Sequence, residues 1–167
     1  MTSEKKKIND IIVYTDGAYK KSTNACGYGI HFPNGEIKDI GRAFRRKPLT
    51  NQRAELYAIY KALRTIKRKY IFDTIHLYSD SEYSIKSVTI WINGWKKNNW
   101  KTAGGKAVSN QDLIMRIDKI LTKFPKKIIF AHVKAHTGKT DKHSVGNQKA
   151  DDLANIGAEK SLKLAKN

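Results

Sequence analysis

The chain has 167 residues, 40% of them hydrophobic and 29% charged, which fits one globular domain and excludes a disordered polypeptide. Its 33 Lys and Arg outnumber 15 Asp and Glu, so the formal charge is +18 and a polyanionic partner is expected, first nucleic acid and second an anionic membrane surface. The single cysteine excludes an internal disulfide and a cysteine-rich zinc site.

The N-terminus and the hydropathy pattern bear on location. The segment MTSEKKKIND has no apolar core typical of a signal peptide, and its acids Glu4 and Asp10 argue against a transit peptide. No apolar run approaches the ~20 residues of a membrane span. We therefore expect an intracellular protein, cytoplasmic or nuclear, that needs no membrane and acts as a monomer. The alternative explanation of its charge is a lysine-rich surface without a specific partner.

The first part of the chain is predicted to form strands. A basic N-terminal tail over residues 1–9 precedes three strands, at 11–15, 27–32 and 36–44. The pair Asn34-Gly35 is typical of a tight hairpin between the second and third strands. These three strands are expected to form an antiparallel meander.

Helices and strands then alternate. Apolar residues recur on one face from residue 51 to 70, which predicts a helix capped by Thr50 or Asn51. A strand at 74–79, a short helix at 82–88, a helix at 111–123, a strand at 128–133 and a helix from about Asn147 follow. This order predicts an α/β fold with a five-stranded mixed sheet flanked by helices, in which helical crossovers make the first, fourth and fifth strands parallel and central. The domain is expected over residues 10–160, with a C-terminal tail at 161–167.

Four acids stand out by position. Asp16 and Asp80 each end an apolar strand, at the sheet edge where α/β proteins form ligand sites, and Glu55 and Asp151 lie near helix starts. Each acid alone could be a turn or cap residue. If all four converge, each pair of carboxylates at 4 Å repels by ~4 kcal/mol, so divalent cations are required. Oxygen ligands favour Mg²⁺ or Mn²⁺, and paired ions of this kind serve phosphodiester hydrolysis.

Other charged and aromatic residues have simpler explanations. The acids Glu36, Asp39, Asp112 and Asp118 are interpreted as surface charges. In WINGWKKNNWK (91–101), aromatic and basic residues interleave as they do where nucleic acid bases stack and phosphates bind. The alternative is that Trp91 and Trp95, four residues apart, pack one helical face on the core.

Five short motifs in order are similar to those of the ribonuclease H family, type 1 branch. They are YTDGA (14–18), TNQRAEL (50–56), YSDS (78–81), VKAHTG (133–138) and GNQKADDLA (146–154). The resemblance covers residues 10–157 and implies a ribonuclease H-like fold and hydrolysis of the RNA strand of RNA–DNA hybrids without sequence specificity. It also implies that Asp16, Glu55, Asp80 and Asp151 hold two Mg²⁺ ions, for which Mn²⁺ can substitute, with Gly17 allowing close approach of the backbone.

The same resemblance implies further roles. His136 matches a loop histidine that serves proton transfer and product release. The residues matching substrate contacts are Ser22, Asn24, Thr50, Asn51, Gln52, Trp91, Trp95, Lys96, Lys97, Lys101 and Asn110. Of these, Asn51 and Gln52 match contacts in the hybrid minor groove, Thr50 and Asn110 match a DNA phosphate site, and the Trp and Lys residues match a basic protrusion that grips DNA. With no separate hybrid-binding domain recognised, binding is expected to come from the catalytic domain itself.

The chain departs from the family pattern at three places. Ser22 and Asn24 stand near the position of a family Asn, Pro48 replaces an Arg found in some relatives, and residues 139–145 form a longer loop with a second histidine, His143. Two alternatives remain open. One is a non-catalytic hybrid-binding module, and the other is a different nuclease of the same fold, such as a resolvase.

Overall fold

A computed structural model describes residues 4–165 of the protein, which form one five-stranded sheet flanked by helices. The strands are β1 (Lys6–Lys20), β2 (Ala25–His31), β3 (Ile40–Ala43), β4 (Tyr70–Ser79) and β5 (Ile128–His132). Their order in the sheet is β3-β2-β1-β4-β5. The first three strands pair antiparallel, and β4 pairs parallel with both β1 and β5. The predicted mixed sheet is therefore confirmed.

The helices follow the predicted order. They are α1 (Asn51–Lys69), α2 (Glu82–Lys86), α3 (Ile92–Lys97), α4 (Gln111–Lys123) and α5 (Lys142–Ala165). A π-helical turn over Ser87–Trp91 joins α2 to α3, so this region is one irregular helical rod rather than the single short helix predicted at 82–88. The Thr50 hydroxyl accepts a hydrogen bond from the Arg53 N–H and caps α1.

The two long helices cover opposite faces of the sheet. The apolar stripe of α1, with Leu56, Ile59 and Leu63 fully buried, belongs to the same core cluster as Ile11 and Val13 of β1. Helix α5 lies against β2 on the other face. A Cβ atom on Gly29 of β2 would stand 2.2 Å from the Ala150 carbonyl oxygen, so only glycine admits this close approach of α5.

The N-terminal prediction is wrong at its boundary. Residues 6–9 belong to β1, because Lys6 and Lys7 already pair with Tyr70 and Ile71 of β4. The expected tail over 1–9 is therefore shorter, and its residues 1–3 lie outside the described part of the chain. The start of β4 would otherwise carry unpaired backbone N–H and C=O groups. Pairing with these groups explains why polar residues extend β1.

The position of one strand and three predicted boundaries are also corrected. Strand β5 is an edge strand, not a central one, because β4 separates it from β1. The third strand starts at Ile40 rather than residue 36: Gly35 does form a turn, its N–H bonding the Phe32 carbonyl, but Asp39 then bonds the Phe32 N–H and delays the pairing. Helix α5 starts at Lys142, five residues early, and includes residues 161–165 of the predicted C-terminal tail. Within residues 4–165, no helix is long and apolar enough to cross a membrane.

Candidate active site

Three carboxylates from different elements meet at one edge of the sheet. Oxygen atoms of Asp16, Glu55 and Asp80 all lie within 4.8 Å of one another. The parallel ladder of β1 and β4 ends at the pair Thr15 and Ser79, and the next residue on each strand is one of the aspartates. The prediction that Asp16 ends its strand is wrong. Beyond Thr15, β1 continues to Lys20 and pairs there with β2 alone among the described strands.

Asp151 completes the acidic cleft. It lines a cleft of about 350 Å³ together with Asp16, Glu55 and Asp80, and its side chain is one of the groups that raise the pKa of Asp16. The neighbouring Asp152 is exposed and does not line the cleft. The helical rotation of about 100° per residue therefore directs Asp151 into the cleft and Asp152 away from it. From the sequence, only the resemblance to the family motif indicated which of the two aspartates belongs to the site.

Burial and mutual repulsion disfavour ionisation of the cluster. Burial, followed by the charges of Asp80 and Glu55 and the hydrogen bond to Asp151, raises the pKa of Asp16 to about 9, although the Gly17 N–H opposes this. Burial also raises the pKa of Glu55 to about 7. Hydrogen bonds from Ser81 and Asn51 lower this pKa again in part, while the Asp80 charge raises it. A divalent cation at this place would reverse these shifts, because it favours the charged form of every carboxylate.

Gly17 serves the site through packing. A Cβ atom at this residue would lie 2.5 Å from the Glu55 backbone nitrogen and 2.8 Å from the Ala54 carbonyl carbon. The absence of a side chain therefore lets the first turns of α1 rest on β1 and brings Glu55 to the cluster. The implied closeness of Gly17 to a metal stays a prediction.

Asn147 is a site residue that the sequence analysis missed. It is 3% exposed, and its Nδ2 donates to Asp80 Oδ2 at 3.1 Å. Its Oδ1 is buried without a hydrogen-bond partner among the described residues. Asn147 precedes Asp151 by one helical turn on α5, so a search for polar residues at that spacing could have found it.

The two loop histidines have different surroundings. His136 is exposed at the rim of the acidic cleft, and its φ of 51° is in the left-handed region. His143 lies in the first turn of α5, not in a loop, and its Nδ1 is 2.8 Å from the Tyr14 hydroxyl. The imidazole also packs on the Tyr78 ring, with centroids 4.4 Å apart. His143 therefore fixes the start of α5 to the sheet and does not line the cleft.

The predicted substrate contacts fall in three groups. Asn51 and Gln52 are exposed beside the cleft, and Asn51 donates to Glu55 Oε1 at 3.2 Å. Ser22 and Asn24 are exposed in the turn between β1 and β2, where the Tyr19 hydroxyl donates to Asn24. The third group, Thr50 and Asn110, caps the starts of α1 and α4, and Asn110 donates to the Tyr83 hydroxyl.

An ion pair between a buried arginine and an exposed aspartate joins the two helix starts. Arg53 is 4% exposed and donates to both carboxylate oxygens of Asp112, at 2.8 and 2.9 Å. Asp112 is 54% exposed, as predicted for a surface charge, and it is also the structural partner of Arg53. Asp39 is likewise a surface acid with a partner, since it is 2.7 Å from His31 Nδ1. The sequence pattern could not identify these pairs because their partners are distant along the chain.

The predicted basic protrusion carries a row of aromatic rings. Neighbouring ring centroids in Tyr83, Trp91, Trp95 and Trp100 are 6.0, 6.2 and 6.5 Å apart. Trp91 is 41% exposed, whereas Trp95 is half-buried against the core, so both interpretations of this pair hold in part. The sequence analysis missed Tyr83 and Trp100.

The lysines of the protrusion differ in their pairing. Lys96 forms an ion pair with Asp118 at 2.7 Å, so this predicted surface acid has a basic partner. Lys97 and Lys101 are exposed, and neither has an acidic partner within 4.0 Å in the described part of the chain.

This fold and site define an α/β protein with a buried carboxylate cluster suited to divalent cations, within a strongly basic surface. The chain belongs to the RNase H family, whose model matches residues 8–159. Membership of the type 1 branch is consistent with this match and with the relatives named ribonuclease H.

Individual relatives agree with this membership. A "Probable ribonuclease H" of Acanthamoeba polyphaga mimivirus is 40% identical over 139 residues, which are 82% of this chain and 60% of that protein. A "Ribonuclease H" of Francisella philomiragia is 41% identical over 150 residues, 89% of this chain and 91% of that protein. A foamy viral protease-reverse transcriptase structure in complex with dsDNA superimposes with a TM-score of 0.71 at 25% identity, covering 90% of this chain and 94% of that one.

Proposed function

We propose that this protein hydrolyses the RNA strand of RNA–DNA hybrids as a metal-dependent endonuclease without sequence specificity. The observation that carries the proposal is the buried cluster of Asp16, Glu55 and Asp80 within 4.8 Å, beside Asp151, in a chain of net charge +18. Curated relatives named ribonuclease H, which align over about nine-tenths of this chain, support the same activity. The physiological duty, whether primer removal or R-loop clearance, is a separate question.

The donor set fits hard divalent cations. Mg²⁺ and Mn²⁺ prefer carboxylate oxygens as ligands, and the cleft holds several of them close together in a place where burial disfavours the free anions. Asn147, which donates to Asp80, adds a buried Oδ1 that has no hydrogen-bond partner among the described residues. We infer that Asp16, Glu55, Asp80 and Asp151 hold two such ions. Two bound ions supply activation of water and stabilisation of the leaving oxygen in phosphodiester hydrolysis.

The chain's own residues orient and position the reactants. The Asn147 amide donates to one oxygen of Asp80, and the Asn51 amide donates to one oxygen of Glu55, so each hydrogen bond restricts the orientation of a cleft carboxylate. His136, exposed at the rim, can accept or release a proton at an imidazole nitrogen near the leaving group. This role also fits its expected part in product release.

Recognition of a hybrid requires contacts to both strands. We propose that Asn51 and Gln52 contact the RNA 2′-hydroxyls in the minor groove, where RNA differs from DNA. The Ser22–Asn24 turn, the helix caps Thr50 and Asn110, and the protrusion residues Trp91, Lys97 and Lys101 would then contact backbone. Lys96 contributes less than predicted, since Asp118 already neutralises it.

We further propose that residues 10–160 form the body of the catalytic domain, which β1 extends to Lys6 and α5 extends to Ala165, and that the protein acts as a monomer inside the cell. The family match over residues 8–159 supports this extent. The buried, single Cys26 is compatible with a reducing compartment.

The test is strand-specific cleavage. A hybrid labelled on either strand is incubated with Mg²⁺, Mn²⁺ or EDTA, using the wild type, Asp16→Asn and the neighbouring control Asp152→Asn. We expect metal-dependent cuts in RNA only, lost in Asp16→Asn and kept in Asp152→Asn. Binding without cleavage by the wild type would favour a non-catalytic hybrid-binding module, and equal cleavage of a DNA junction would favour a resolvase.

A further inference from the structure

A cationic groove runs between α1 and α4, away from the acidic cleft. Its volume is about 420 Å³, and its basic lining consists of Arg64, Lys67, Arg68, Arg116, Lys119 and Lys123. No acidic residue lines it, and within residues 4–165 none of these six side chains has a carboxylate within 4.0 Å. We refer to it as the α1–α4 groove.

The centre of the groove is built around Tyr60. The guanidinium groups of Arg64 and Arg116 stand 6.0 and 5.8 Å from the centroid of its ring, one from each helix. Burial would raise the pKa of Tyr60, but hydrogen bonds and charge from Arg116 and Arg64 outweigh it and lower the pKa. Arg64 Nη1 also donates to the Tyr60 hydroxyl at 3.3 Å, so the two guanidinium groups are gathered around one side chain.

The cations of the groove repel one another. Burial first, and then Lys123, Lys5 and Arg64, lower the pKa of Lys67. A surface that keeps like charges together without carboxylates loses stability, whereas a bound polyanion would remove this repulsion. Elsewhere the chain does pair its cations, as Arg53 with Asp112 and Lys96 with Asp118.

The groove follows α1 and α4 away from their N-terminal ends, and Glu55 of the cleft lies near the N-terminal end of α1. Helices α1 and α4 run side by side in the same sense, because Arg53 meets Asp112 at their starts and Tyr60 meets Arg116 further along. The part of α1 that lines the groove, from Tyr60 to Arg68, rises by about 12 Å, a length that a short stretch of a single strand can cover. Arg64 follows Glu55 by about two and a half turns, so it projects on the other side of α1 from the carboxylates.

We propose that the α1–α4 groove is a second binding site, which holds the sugar–phosphate backbone of a nucleic-acid strand where it continues past the hybrid in the cleft. This inference rests on the proposed function in one respect, namely that the strand in the groove continues from a hybrid bound in the acidic cleft. Arginine forks match phosphate geometry, and the groove offers no group that would distinguish DNA from RNA. An anionic membrane fits less well, because Tyr60 and Ile120 are buried and the groove has no exposed apolar side chain to insert.

The test measures binding in EDTA, so it does not depend on cleavage. The probes are a blunt RNA–DNA hybrid of about 12 base pairs and the same hybrid extended by about 16 single-stranded nucleotides on its DNA or its RNA strand. The proteins are the wild type, Arg64→Gln/Arg116→Gln, and the control Lys160→Gln/Lys163→Gln, which removes the same charge from α5. A charge-conserving variant, Arg64→Lys/Arg116→Lys, separates charge from packing.

The expected result is a gain in affinity that only the groove variant loses. The wild type and the α5 control should bind an extended hybrid about tenfold more tightly than the blunt one, and Arg64→Gln/Arg116→Gln should lose most of this ratio while the Lys variant restores part of it. For Arg64→Gln/Arg116→Gln on the extended hybrid, the slope of log affinity against log salt should be smaller in magnitude than that of the wild type by about 1.4, because two phosphate contacts of ~0.7 each are lost.

Three outcomes would overturn the inference. The first is that the wild type gains no affinity from an extension on either strand, and the second is that Arg64→Gln/Arg116→Gln keeps the full gain. The third comes from a parallel assay with phosphatidylserine vesicles, if Arg64→Gln/Arg116→Gln loses vesicle binding that the wild type has and keeps its gain on the extended hybrid. A protein that fails to cut RNA in Mg²⁺ but shows the gain would refute the proposed function and leave the groove in place.

Discussion

Replacing Asp16 by Asn is expected to stabilise the metal-free protein while it abolishes activity. The carboxylate oxygens of Asp16, Glu55 and Asp80 lie within 4.8 Å, and Asp16 is 5% exposed. Two full charges at that separation repel by about 3 kcal/mol at an effective dielectric constant of ~20. Because Asp80 is partly open to water and the cluster is only partly ionised, we expect the free energy of unfolding to rise by about 2–3 kcal/mol near pH 8.

The sign of the pH dependence follows from the raised pKa of Asp16. In the unfolded chain this carboxyl ionises near its ordinary pKa of 3.8, but in the fold it resists ionisation until about pH 9. The contribution of Asp16 to the stability of the metal-free wild type is therefore fully present below about pH 4 and is lost as pH rises towards 9. The gain from Asp16→Asn should accordingly be small near pH 5 and grow towards pH 8, by at most about 1.4 kcal/mol per pH unit.

The assay is urea or thermal unfolding in EDTA at both pH values. The neighbouring Asp152→Asn makes the same chemical change outside the cleft and should alter stability by less than about 0.5 kcal/mol. A gain of 2–3 kcal/mol corresponds to roughly 5–10 °C in Tm for a chain of this size. Equal stability of Asp16→Asn and wild type near pH 8, or an equal gain at both pH values, would refute the electrostatic reasoning.

Three other substitutions test the surroundings of the site. Asp112→Asn leaves the buried Arg53 guanidinium without its carboxylate and should cost about 2 kcal/mol in urea unfolding, below the value for a fully buried pair because Asp112 is 54% exposed. Asn147→Ala removes the amide that orients a cleft carboxylate, so cleavage should fall about tenfold and need more Mg²⁺ for half-maximal rate. Tyr14→Phe removes the hydrogen bond to His143 and should cost about 1 kcal/mol.

Matched control variants decide two of these cases, and a Mg²⁺ titration decides the third. Asp118→Asn breaks a pair whose cation is 40% exposed, against 4% for Arg53, and should cost less than about 1 kcal/mol, so a loss equal to that of Asp112→Asn would contradict the importance of burying the cation. Tyr78→Phe keeps the ring beside His143 and should be nearly neutral, unlike Tyr14→Phe. For Asn147→Ala, an unchanged Mg²⁺ titration would exclude a role in orienting Asp80.

Short-range patterns predicted most elements because they depend on local physics. The i, i+3, i+4 recurrence of Leu56, Ile59 and Leu63 predicts α1, since one face of a helix must be buried. Boundaries were less predictable where pairing decides them. Lys6 and Lys7 carry no apolar signal and enter β1 only because β4 offers backbone partners, while β3 starts late because Asp39 binds the Phe32 backbone.

Residue types and motifs were enough to identify the members of the acidic cluster, because Asp16, Glu55, Asp80 and Asp151 occur in motifs that are predicted to lie at strand ends and helix starts. How the cluster is held became evident only from the folded chain. Asn147 orients Asp80 from α5, and Gly17 admits α1, through contacts between residues far apart in the chain. Tertiary packing also decided which charges are paired and which remain open along the α1–α4 groove, since Coulomb interaction depends on distance in space and no local pattern encodes that distance.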